Sequence, residues 1–255
     1  MLTVASFNVN SIKARLPRLL DWLERRAPDV AVLQETKCTA DSFPHLEIEA
    51  AGYRAAVVGQ KTYNGVALLS RLPFEVSTEA LPGDAADTQA RYVEAVIDGR
   101  LRVGGLYLPN GNPLDSDKYT YKLAWMARLT AHAQGLVGDP LPTLLGGDYN
   151  VIPGPEDVHD PAAWRDDALF TLPTRKAFRG LLFQGWTDTL GGVGHRYTFW
   201  DYQRGAWSRD QGIRIDHLLL NPAAADRLEE AGIDRDERGR DKASDHVPVW
   251  CRLAL

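Results

Sequence analysis

The sequence has little of what a secreted or membrane-bound protein needs. Its 255 residues include two cysteines, Cys38 and Cys251, which provide neither a disulfide framework nor a CxxC pair, so we expect a reducing, cytoplasmic setting. No stretch approaches the roughly 18 uncharged apolar residues of a membrane span. The first residues also lack a basic region followed by a long apolar run. We therefore expect neither a membrane segment nor a signal peptide.

An excess of positive charge is missing as well. The net charge is −5, which taken alone argues against nucleic acid, since phosphate contacts need lysine and arginine. The charge is uneven, however, because residues 171–214 carry seven basic residues and three acidic ones. This run is either a solvated surface or a nucleic-acid-binding face. A cluster of metal-binding carboxylates would also make the formal net charge more negative, because that count leaves out the positive charge of the bound ion.

The chain contains no internal repeat, low-complexity tract or linker-like segment, and strand-like apolar runs dominate it. The predicted strands are Leu2–Phe7, Val30–Leu33, Ala55–Val58, Gly65–Leu69, Tyr92–Ile97, Leu101–Leu108, Pro142–Gly147 and segments near 197–200, 213–220 and 247–254. The predicted helices cover 13–26, 116–137 and 173–183. Asp98-Gly99 predicts a tight hairpin between two of the strands. This order predicts an α/β protein with two packed sheets and helices outside them, and we expect residues 1–255 to form one domain.

The first two strands and the helix between them predict a specific neighbourhood. Leu2–Phe7 is followed by a helix with an apolar stripe, and then by Val30–Leu33. A strand, a helix and a strand at this spacing form a right-handed crossover between parallel strands. Asn8 and Glu35, which follow these two strands, should therefore lie at the same end of neighbouring strands.

Polar side chains end or follow strand-like runs throughout the chain. An α/β sheet places its chemistry at such positions, because the strand gives the side chain a rigid base near solvent. The set combines carboxylates, amides, a phenol and an imidazole, and it indicates one site for a hard divalent cation and an anionic substrate. Its members are Asn8, Glu35, Tyr107, Asp148 with Asn150, Asp216, and Asp245 with His246.

Several of these residues have simpler interpretations that the sequence leaves open. Glu35 is equally suited to a metal ion and to a salt bridge with Lys37 or another basic residue. Asn8 and Asn10 offer amide oxygens of the kind that Mg²⁺ prefers, although Asn10 also suits the turn after a strand. Tyr107, taken alone, is typical of a core tyrosine with a satisfied hydroxyl.

The segment Gly146–Asn150 has a sharper pattern. Its glycines would let the backbone turn tightly, and Asp148 and Asn150 would then emerge on the same face. Asp148 is placed to take a proton from water while Asn150 positions that water, and an Asx-turn is the alternative.

His246 is the side-chain type that handles protons and contacts phosphate near neutral pH. Asp216 lies in an otherwise apolar run and needs a partner, because a buried carboxylate is costly without one. The sequence leaves that partner open among His246, His217 and an arginine.

A group of aromatic residues lies among the basic residues of the 171–214 run. Interleaved aromatic and arginine side chains suit a surface that grips a nucleic-acid backbone and receives an unstacked sugar or base. Packing between strands is the alternative for about half of them. The group is Tyr197, Phe199, Trp200, Tyr202 and Trp207.

Ordered segments of the chain resemble the exonuclease III family of abasic-site endonucleases, within the endonuclease/exonuclease/phosphatase superfamily. The segments run from residue 6 to residue 249 in the family order: SFNVNSIKAR, LQETK, KTYNGVALLSR, YLPNGNP, GGDYNVIP, YTFWDYQRGAW, RIDHLLL and SDHVPV. The resemblance implies a DNase I-like, four-layer α/β sandwich with two packed mixed β-sheets flanked by helices. It also implies hydrolysis of phosphodiesters in double-stranded DNA, dependent on Mg²⁺ or Mn²⁺, 5′ to abasic sites or at 3′ ends, leaving a 3′-hydroxyl.

The resemblance also assigns roles by position. Glu35 becomes the principal metal ligand, with Asn8, Asn10 and Asp245 close to the metal. Some relatives carry aspartate where this chain has Asn10, so the metal number stays open.

The catalytic roles follow in the same way. Asp148 activates or orients the attacking water with Asn150 as its helper, and Asp216 orients the phosphate-contacting His246. Tyr107 lies near the scissile phosphate, and whether it or Asp148 activates the water stays open.

Further positions match substrate contacts. Asn110 lies near the scissile phosphate, and an apolar pocket for the base-less sugar is formed by Phe199, Trp207, Ile213 and Ile215. The loop at Gly111–Pro113 lacks the arginine that some relatives insert into DNA, so insertion would depend on Gln203, on Asn112 or on neither.

The activity implied by the resemblance has two competitors. A phosphoesterase of the same superfamily would act on a phosphoinositide, sphingomyelin or a nucleotide. A catalytically inactive regulator would bind RNA without metal-dependent cleavage. A monomer is the default expectation for the oligomeric state.

Overall fold

The structure is a computed structural model that describes residues 1–191 and 196–255. Twelve strands lie within these residues: β1 (Leu2–Asn8), β2 (Val30–Gln34), β3 (Arg54–Val58), β4 (Val66–Ser70), β5 (Phe74–Thr78), β6 (Tyr92–Ile97), β7 (Leu101–Tyr107), β8 (Thr143–Asp148), β9 (Thr187–Asp188), β10 (Asp216–Leu220), β11 (Leu228–Ile233) and β12 (Val249–Leu253). The α-helices of the same residues are α1 (Ile12–Arg26), α2 (His45–Ala50), α3 (Asp117–Leu136), α4 (Leu172–Phe183) and α5 (Pro222–Ala225). No helix among them is both long and apolar enough to cross a bilayer.

The strands form two six-stranded mixed sheets. The first has the order β11-β12-β1-β2-β4-β3, and the second has the order β5-β6-β7-β8-β10-β9. The pairs β1–β2 and β7–β8 are parallel, and the other pairs are antiparallel. The sheets pack face to face through buried aliphatic side chains such as Val4, Val32, Val103, Leu144 and Leu218.

Helices cover the outer faces of both sheets. Leu19 and Trp22 of α1 are buried against the first sheet, while Trp125 of α3 and Phe178 of α4 are buried against the second. Burial of these large side chains is the main stabilising contribution of the outer layers, at roughly 25 cal/mol for each Å² removed from water. The result is a four-layer α/β sandwich, which confirms the predicted fold class.

The strand registers bring the predicted polar residues to one end of the sandwich. Asn8 at the end of β1 lies opposite Gln34 at the end of β2, and Glu35 directly follows Gln34. Asn8 and Glu35 therefore lie at the same end of neighbouring parallel strands, as predicted. In the second sheet, Tyr107 of β7 lies opposite Asp148 of β8, and Asp148 lies opposite Asp216 of β10. Three residues from three strands therefore stand side by side at one edge.

The prediction that Gly146 and Gly147 permit a tight turn is wrong, because both lie within β8. Their role is close packing: a Cβ on Gly147 would lie 1.9 Å from the carbonyl oxygen of Leu106 on β7. A Cβ on Gly105 would similarly lie 2.8 Å from Cγ1 of Val32 in the other sheet. The chain turns only after β8, at Asn150, whose φ is 48°.

Some predicted elements differ from the structure. The segment near 197–200 is not a strand, because Phe199 forms only isolated bridges to Ile213 and His246, and β10 begins at Asp216 rather than at 213. Strands β5, β9 and β11 and helices α2 and α5 were not predicted. Strands β5 and β11 are edge strands with mostly exposed or half-buried residues, and their apolar patterns are therefore weak. The hairpin at Asp98-Gly99 is confirmed, with φ of 49° and 66° at its two turn residues.

Candidate active site

A cavity of about 210 Å³ lies where the same ends of the two sheets meet. Strands β2, β7 and β8 and the loops that follow them supply one part of its lining, and the segments around β10 and β12 supply the rest. The lining residues are Glu35, Tyr107, Asn110, Asn112, Asp148, Asn150, Trp164, Asp167, Leu169, Phe199, Asp201, Ile213, Ile215, Asp245 and His246. Most of the predicted site residues therefore converge on a single cavity.

Asn8 joins the two sheets at the base of this cavity. Its side chain is fully buried, and its Nδ2 donates hydrogen bonds to Oε1 of Glu35 and to Oδ2 of Asp148, each at 2.9 Å. Its Oδ1 accepts the backbone N–H of Asn10 at 3.0 Å. The hydroxyl of Tyr107 also donates to Oε1 of Glu35, at 3.0 Å. Two carboxylates from different sheets are thus held in fixed positions by neutral donors.

Lys37 and Asn10 make further contacts to the carboxylates of Glu35 and Asp245. Nζ of Lys37 lies 2.8 Å from Oε2 of Glu35 and donates to Oδ1 of Asn10 at 2.6 Å, so the salt bridge that the sequence left open is present. Nδ2 of Asn10 donates to Oδ1 of Asp245 at 3.0 Å. Burial alone would raise the pKa of Glu35, but the hydrogen bonds from Lys37 and Asn8 lower it below the ordinary value. Glu35 is therefore ionised at neutral pH.

His246 is the partner of Asp216. Nδ1 of His246 donates to Oδ2 of Asp216 at 2.9 Å, and Nε2 of His246 lies 3.7 Å from Oδ2 of Asp148. Burial opposes protonation, yet the carboxylates of Asp216 and Asp148 raise the pKa of His246 to about 10. His246 is therefore an imidazolium at neutral pH. It lines the cavity, with its Nε2 on the side of Asp148.

Asp148 carries the most strongly shifted carboxyl of the site. Burial raises its pKa to about 7, and Asp216 and Glu35 add to the rise while His246 opposes it. Its Oδ1 accepts the backbone N–H of Asn150 at 2.8 Å, which is the hydrogen bond of an Asx-turn. Asp148 therefore forms the turn and also lines the cavity. Burial also raises the pKa of Tyr107 well above its ordinary value, which keeps that hydroxyl a neutral donor. Asp148 can thus exchange a proton near neutral pH.

The donor set fits a divalent cation. Glu35, Asp148 and His246 each offer a ligand atom, and these atoms all lie within 4.8 Å of one another. The carboxylate oxygens of Glu35 and Asp148 are ligands of the kind that Mg²⁺ prefers, whereas His246, as an imidazolium, has no free nitrogen for an ion and offers a hydrogen-bond donor beside it. Asn8 and Asn10 direct amide nitrogens toward the carboxylates, so in this geometry they orient the acidic groups instead of presenting oxygens to an ion.

The opposite wall of the cavity is apolar. Phe199, Ile213 and Ile215 line it as predicted, and the ring of Phe199 lies 5.0 Å from that of His246 in an edge-on arrangement. Trp164 and Leu169 also line it and were missed. They belong to a long irregular segment without strand or helix periodicity. The sequence feature that could have indicated a role is the presence of a tryptophan among charged residues.

Two predicted substrate contacts lie elsewhere. Trp207 packs against Trp200 at 5.0 Å between ring centroids, beneath the guanidinium of Arg235, and Gln203 is exposed. Neither lines the cavity. Asn110 does line it and donates to Oδ1 of Asn150 at 3.2 Å.

Lys122 of α3 supports this part of the site and was also missed. Its side chain is fully buried, and Nζ donates to the carbonyl oxygens of Pro109, Asn110 and Asn150 at 3.1, 3.0 and 2.6 Å. Burial lowers its pKa to about 7. One amine therefore ties the loop after β7 to the loop after β8. A single lysine in a helix gives no sequence signal of such a role.

The chain is similar in sequence and in structure to known nucleases and phosphatases. A family model described as the Endonuclease/Exonuclease/phosphatase family matches residues 5–246. The chain is 31% identical over 262 residues to exodeoxyribonuclease III of Haemophilus influenzae, covering 97% of this chain and 98% of that protein. It is similar to an AP endonuclease from Archaeoglobus fulgidus (TM-score 0.95, 36% identity) and to the 3′ phosphatase NExo from Neisseria bound to a product DNA hairpin (TM-score 0.91, 35% identity), each covering 100% of both chains. The similarity extends over both sheets.

Proposed function

The chain belongs to the exonuclease III and AP endonuclease family, within the endonuclease/exonuclease/phosphatase superfamily, and we propose that it is a DNA repair nuclease that hydrolyses phosphodiester bonds. The observation that carries the proposal is the convergence of Glu35, Asp148 and His246, from three distant parts of the chain, on one cavity. A cluster with this mixture of acids and imidazolium suits a phosphate held beside a divalent ion.

The substrate that we propose is double-stranded DNA containing an abasic site or a 3′ end. The cavity of about 210 Å³ is smaller than the roughly 300–1,000 Å³ of sites that enclose whole small-molecule ligands. A base-less sugar suits this space and its apolar wall better than a complete nucleotide does. The wall contributed by Phe199, Ile213 and Ile215 offers no hydrogen bonds to a base, which favours a lesion without one.

The residues of the site support a hydrolytic mechanism. Asp148 accepts a proton from the attacking water, and Asn150 helps to position that water. As the new P–O bond forms, the P–O3′ bond breaks, and the leaving oxygen takes a proton from the surrounding water to become the 3′-hydroxyl. His246, charged and fixed by Asp216, donates from Nε2 to a phosphate oxygen and offsets the charge that develops there.

We propose Mg²⁺ or Mn²⁺ as the cofactor, held by Glu35 and by the neighbouring acidic side chains. When bound, the ion would polarise the phosphate and offset its negative charge. Asn8 and Tyr107 fix the Glu35 carboxylate for this task, and Asn10 fixes Asp245.

The surroundings of the cavity support a DNA strand as the ligand. A larger cavity of about 610 Å³ shares Asn110 and Asn112 with the site and is lined by Arg91 and Lys118. Such cations suit backbone phosphates. We further propose that residues 1–255 act as one domain and as a monomer in the cytoplasm, since both sheets of the one chain supply the site.

A substrate panel tests the proposal. The purified protein is incubated with Mg²⁺ and, in separate reactions, with an abasic duplex, a duplex with a 3′ phosphate, single-stranded RNA, sphingomyelin and a phosphoinositide. We expect cleavage of the DNA substrates alone. Preferential turnover of a lipid would favour the phosphoesterase alternative, and tight RNA binding without any cleavage would favour the regulator.

A further inference from the structure

Asn150, the proposed helper of Asp148, is hydrogen-bonded at each of its four polar groups. Its backbone N–H donates to Oδ1 of Asp148 at 2.8 Å, and its Oδ1 accepts from Nδ2 of Asn110 at 3.2 Å. Its Nδ2 donates to the carbonyl oxygen of Leu108 at 2.9 Å. Its own carbonyl oxygen accepts from Nζ of Lys122 at 2.6 Å, the shortest of the four bonds. A residue of helix α3 therefore takes part in fixing Asn150.

The backbone of Asn150 has a conformation that depends on such contacts. Its φ is 48°, in the left-handed region, which is uncommon outside glycine although asparagine enters it more readily than most residues. A residue in a sparsely populated conformation persists only where its surroundings hold it there. The bond from Lys122 to the carbonyl oxygen therefore helps to hold the turn that places the Asn150 side chain beside that of Asp148 in the cavity.

The contacts of Lys122 are directed at the loops after β7 and β8. Its side chain is fully buried, and within the described residues it forms no salt bridge. A lysine ammonium has three N–H donors, and the carbonyl oxygens of Pro109, Asn110 and Asn150 provide three acceptors. A Cβ on Gly111 would lie 2.6 Å from Cδ of Lys122, so the loop after β7 also packs directly on the lysine stem. The two loops, and not an acidic partner, compensate for the burial of this amine.

We propose that Lys122 is a positioning residue for the reaction, which holds Asn150 so that its amide and the Asp148 carboxylate act on the same water. The inference rests on the proposed nuclease function. Because Lys122 is fully buried, it acts through Asn150 and touches neither DNA nor the water. A misplacement of about 1 Å in a catalytic group costs about 10²-fold in rate. Loss of Lys122 should therefore lower kcat by about that factor while KM stays within about threefold of the wild-type value.

The first test is a double-mutant cycle between Lys122 and Asn150. Lys122→Met keeps an unbranched side chain of similar length but removes its donors, and Asn150→Ala removes the amide. The readout is kcat on the DNA substrate that the wild type cuts fastest. Lys122→Met should lower kcat about 10²-fold in the wild-type background but less than about threefold in the Asn150→Ala background. Equal falls in both backgrounds, or a nearly normal kcat for Lys122→Met alone, would overturn the proposal.

Leu129→Ala is the matched control for a loss of stability. Leu129 is fully buried in α3, as Lys122 is, and lies about two turns further along the helix. This variant should unfold at a lower urea concentration yet keep kcat within about twofold at a temperature at which it stays folded. A fall in kcat equal to that of Lys122→Met would count against the proposal. If Lys122→Met does not fold, Lys122→Gln, which keeps two N–H donors, replaces it with an expected fall of about tenfold.

The second test examines the loops without a substrate. Hydrogen exchange of the backbone amides is measured in residues 108–112 and 149–152. Exchange in both segments should be at least about tenfold faster in Lys122→Met than in Leu129→Ala, because the bonds that tie the two loops together are lost. Equal exchange in the two variants would overturn the proposal. A wild-type protein that cuts no DNA would instead reject the nuclease function, and the exchange rates would still show whether Lys122 holds the loops.

Discussion

Nδ1 of His246 donates a hydrogen bond of 2.9 Å to the carboxylate of Asp216, although 30 residues separate them in the sequence. Asp216 begins β10, and His246 lies in the turn before β12, so the bond spans the two sheets of the sandwich. It leaves Nε2 of His246 facing Asp148 at 3.7 Å. The tautomer and charge of His246 are therefore set by a residue that need not touch the substrate.

The substitution Asp216→Asn tests this relationship. Asparagine keeps the shape but removes the charge that raises the pKa of His246, so we expect a fall in kcat of about 10²–10⁴ with little change in DNA affinity. Steady-state cleavage of an abasic duplex and a binding titration measure the two effects. Asn112→Ala, in the loop after β7 that also lines the cavity, is the comparison for a general disturbance of the site. A near-normal kcat in Asp216→Asn would mean that His246 does not need a charged partner.

The pH dependence of kcat/KM should be bell-shaped. Asp148 must be unprotonated to accept a proton from water, so activity should rise as the pH passes its pKa of about 7. His246 must be protonated to donate to phosphate, so activity should fall as the pH passes about 10. A divalent ion beside Asp148 favours its ionised form, and the acidic limb should therefore move to lower pH as the metal concentration rises. An alkaline limb that survives in His246→Asn would show that another group causes it.

Trp164 should contribute to selectivity for base-less sites. The change Trp164→Ala widens the apolar wall, so it should lower the ratio of kcat/KM for an abasic duplex over an undamaged 3′ end by about tenfold. Trp207→Ala is the matched control, because Trp207 packs on Trp200 outside the cavity. Competition between the two DNA substrates in one reaction measures the ratio directly. An unchanged ratio for Trp164→Ala together with a reduced ratio for Trp207→Ala would show that Trp207, and not Trp164, contacts the base-less sugar.

A buried ion cluster beneath the site should control stability and its pH dependence. Arg214 pairs with Asp157 at 2.7 Å and with Asp188 at 2.8 Å, while Ile213 and Ile215 on either side of it line the cavity. Burial opposes ionisation of Asp188, yet Arg214 and His217 lower its pKa well below the ordinary value.

We therefore expect Asp188→Asn to lose about 3 kcal/mol of stability at pH 7. A lowered pKa in the folded state stabilises the protein above the unfolded-state value of about 3.9, and this contribution is lost as the pH falls below it. The difference from the wild type should then shrink toward pH 3. Urea unfolding at several pH values measures it, with Asp98→Asn, in an exposed turn, as the control. A difference independent of pH would exclude the ion pair as its cause.

The sequence predicted those parts of the site that depend on local order. Asn8 and Glu35 follow two strands joined by a single crossover, and such strands are parallel neighbours whose ends lie side by side, so the proximity of the two residues was predictable. The partner of Asp216 was not predictable, because the antiparallel register of β10 with β8 and the position of His246 depend on packing between distant segments. Lys122 was missed for a related reason, since its three acceptors are backbone carbonyls, which carry no residue signature.

The most direct test of the central claim is cleavage of an abasic duplex by the wild type and by Glu35→Gln across a titration of Mg²⁺, with EDTA as the zero point. If Glu35, Asp148 and His246 form one metal-dependent site, the wild type should cut only with the ion present, and Glu35→Gln should need at least about tenfold more Mg²⁺, because one charged ligand is lost. Cutting in EDTA, or the same Mg²⁺ dependence for both proteins, would contradict the account.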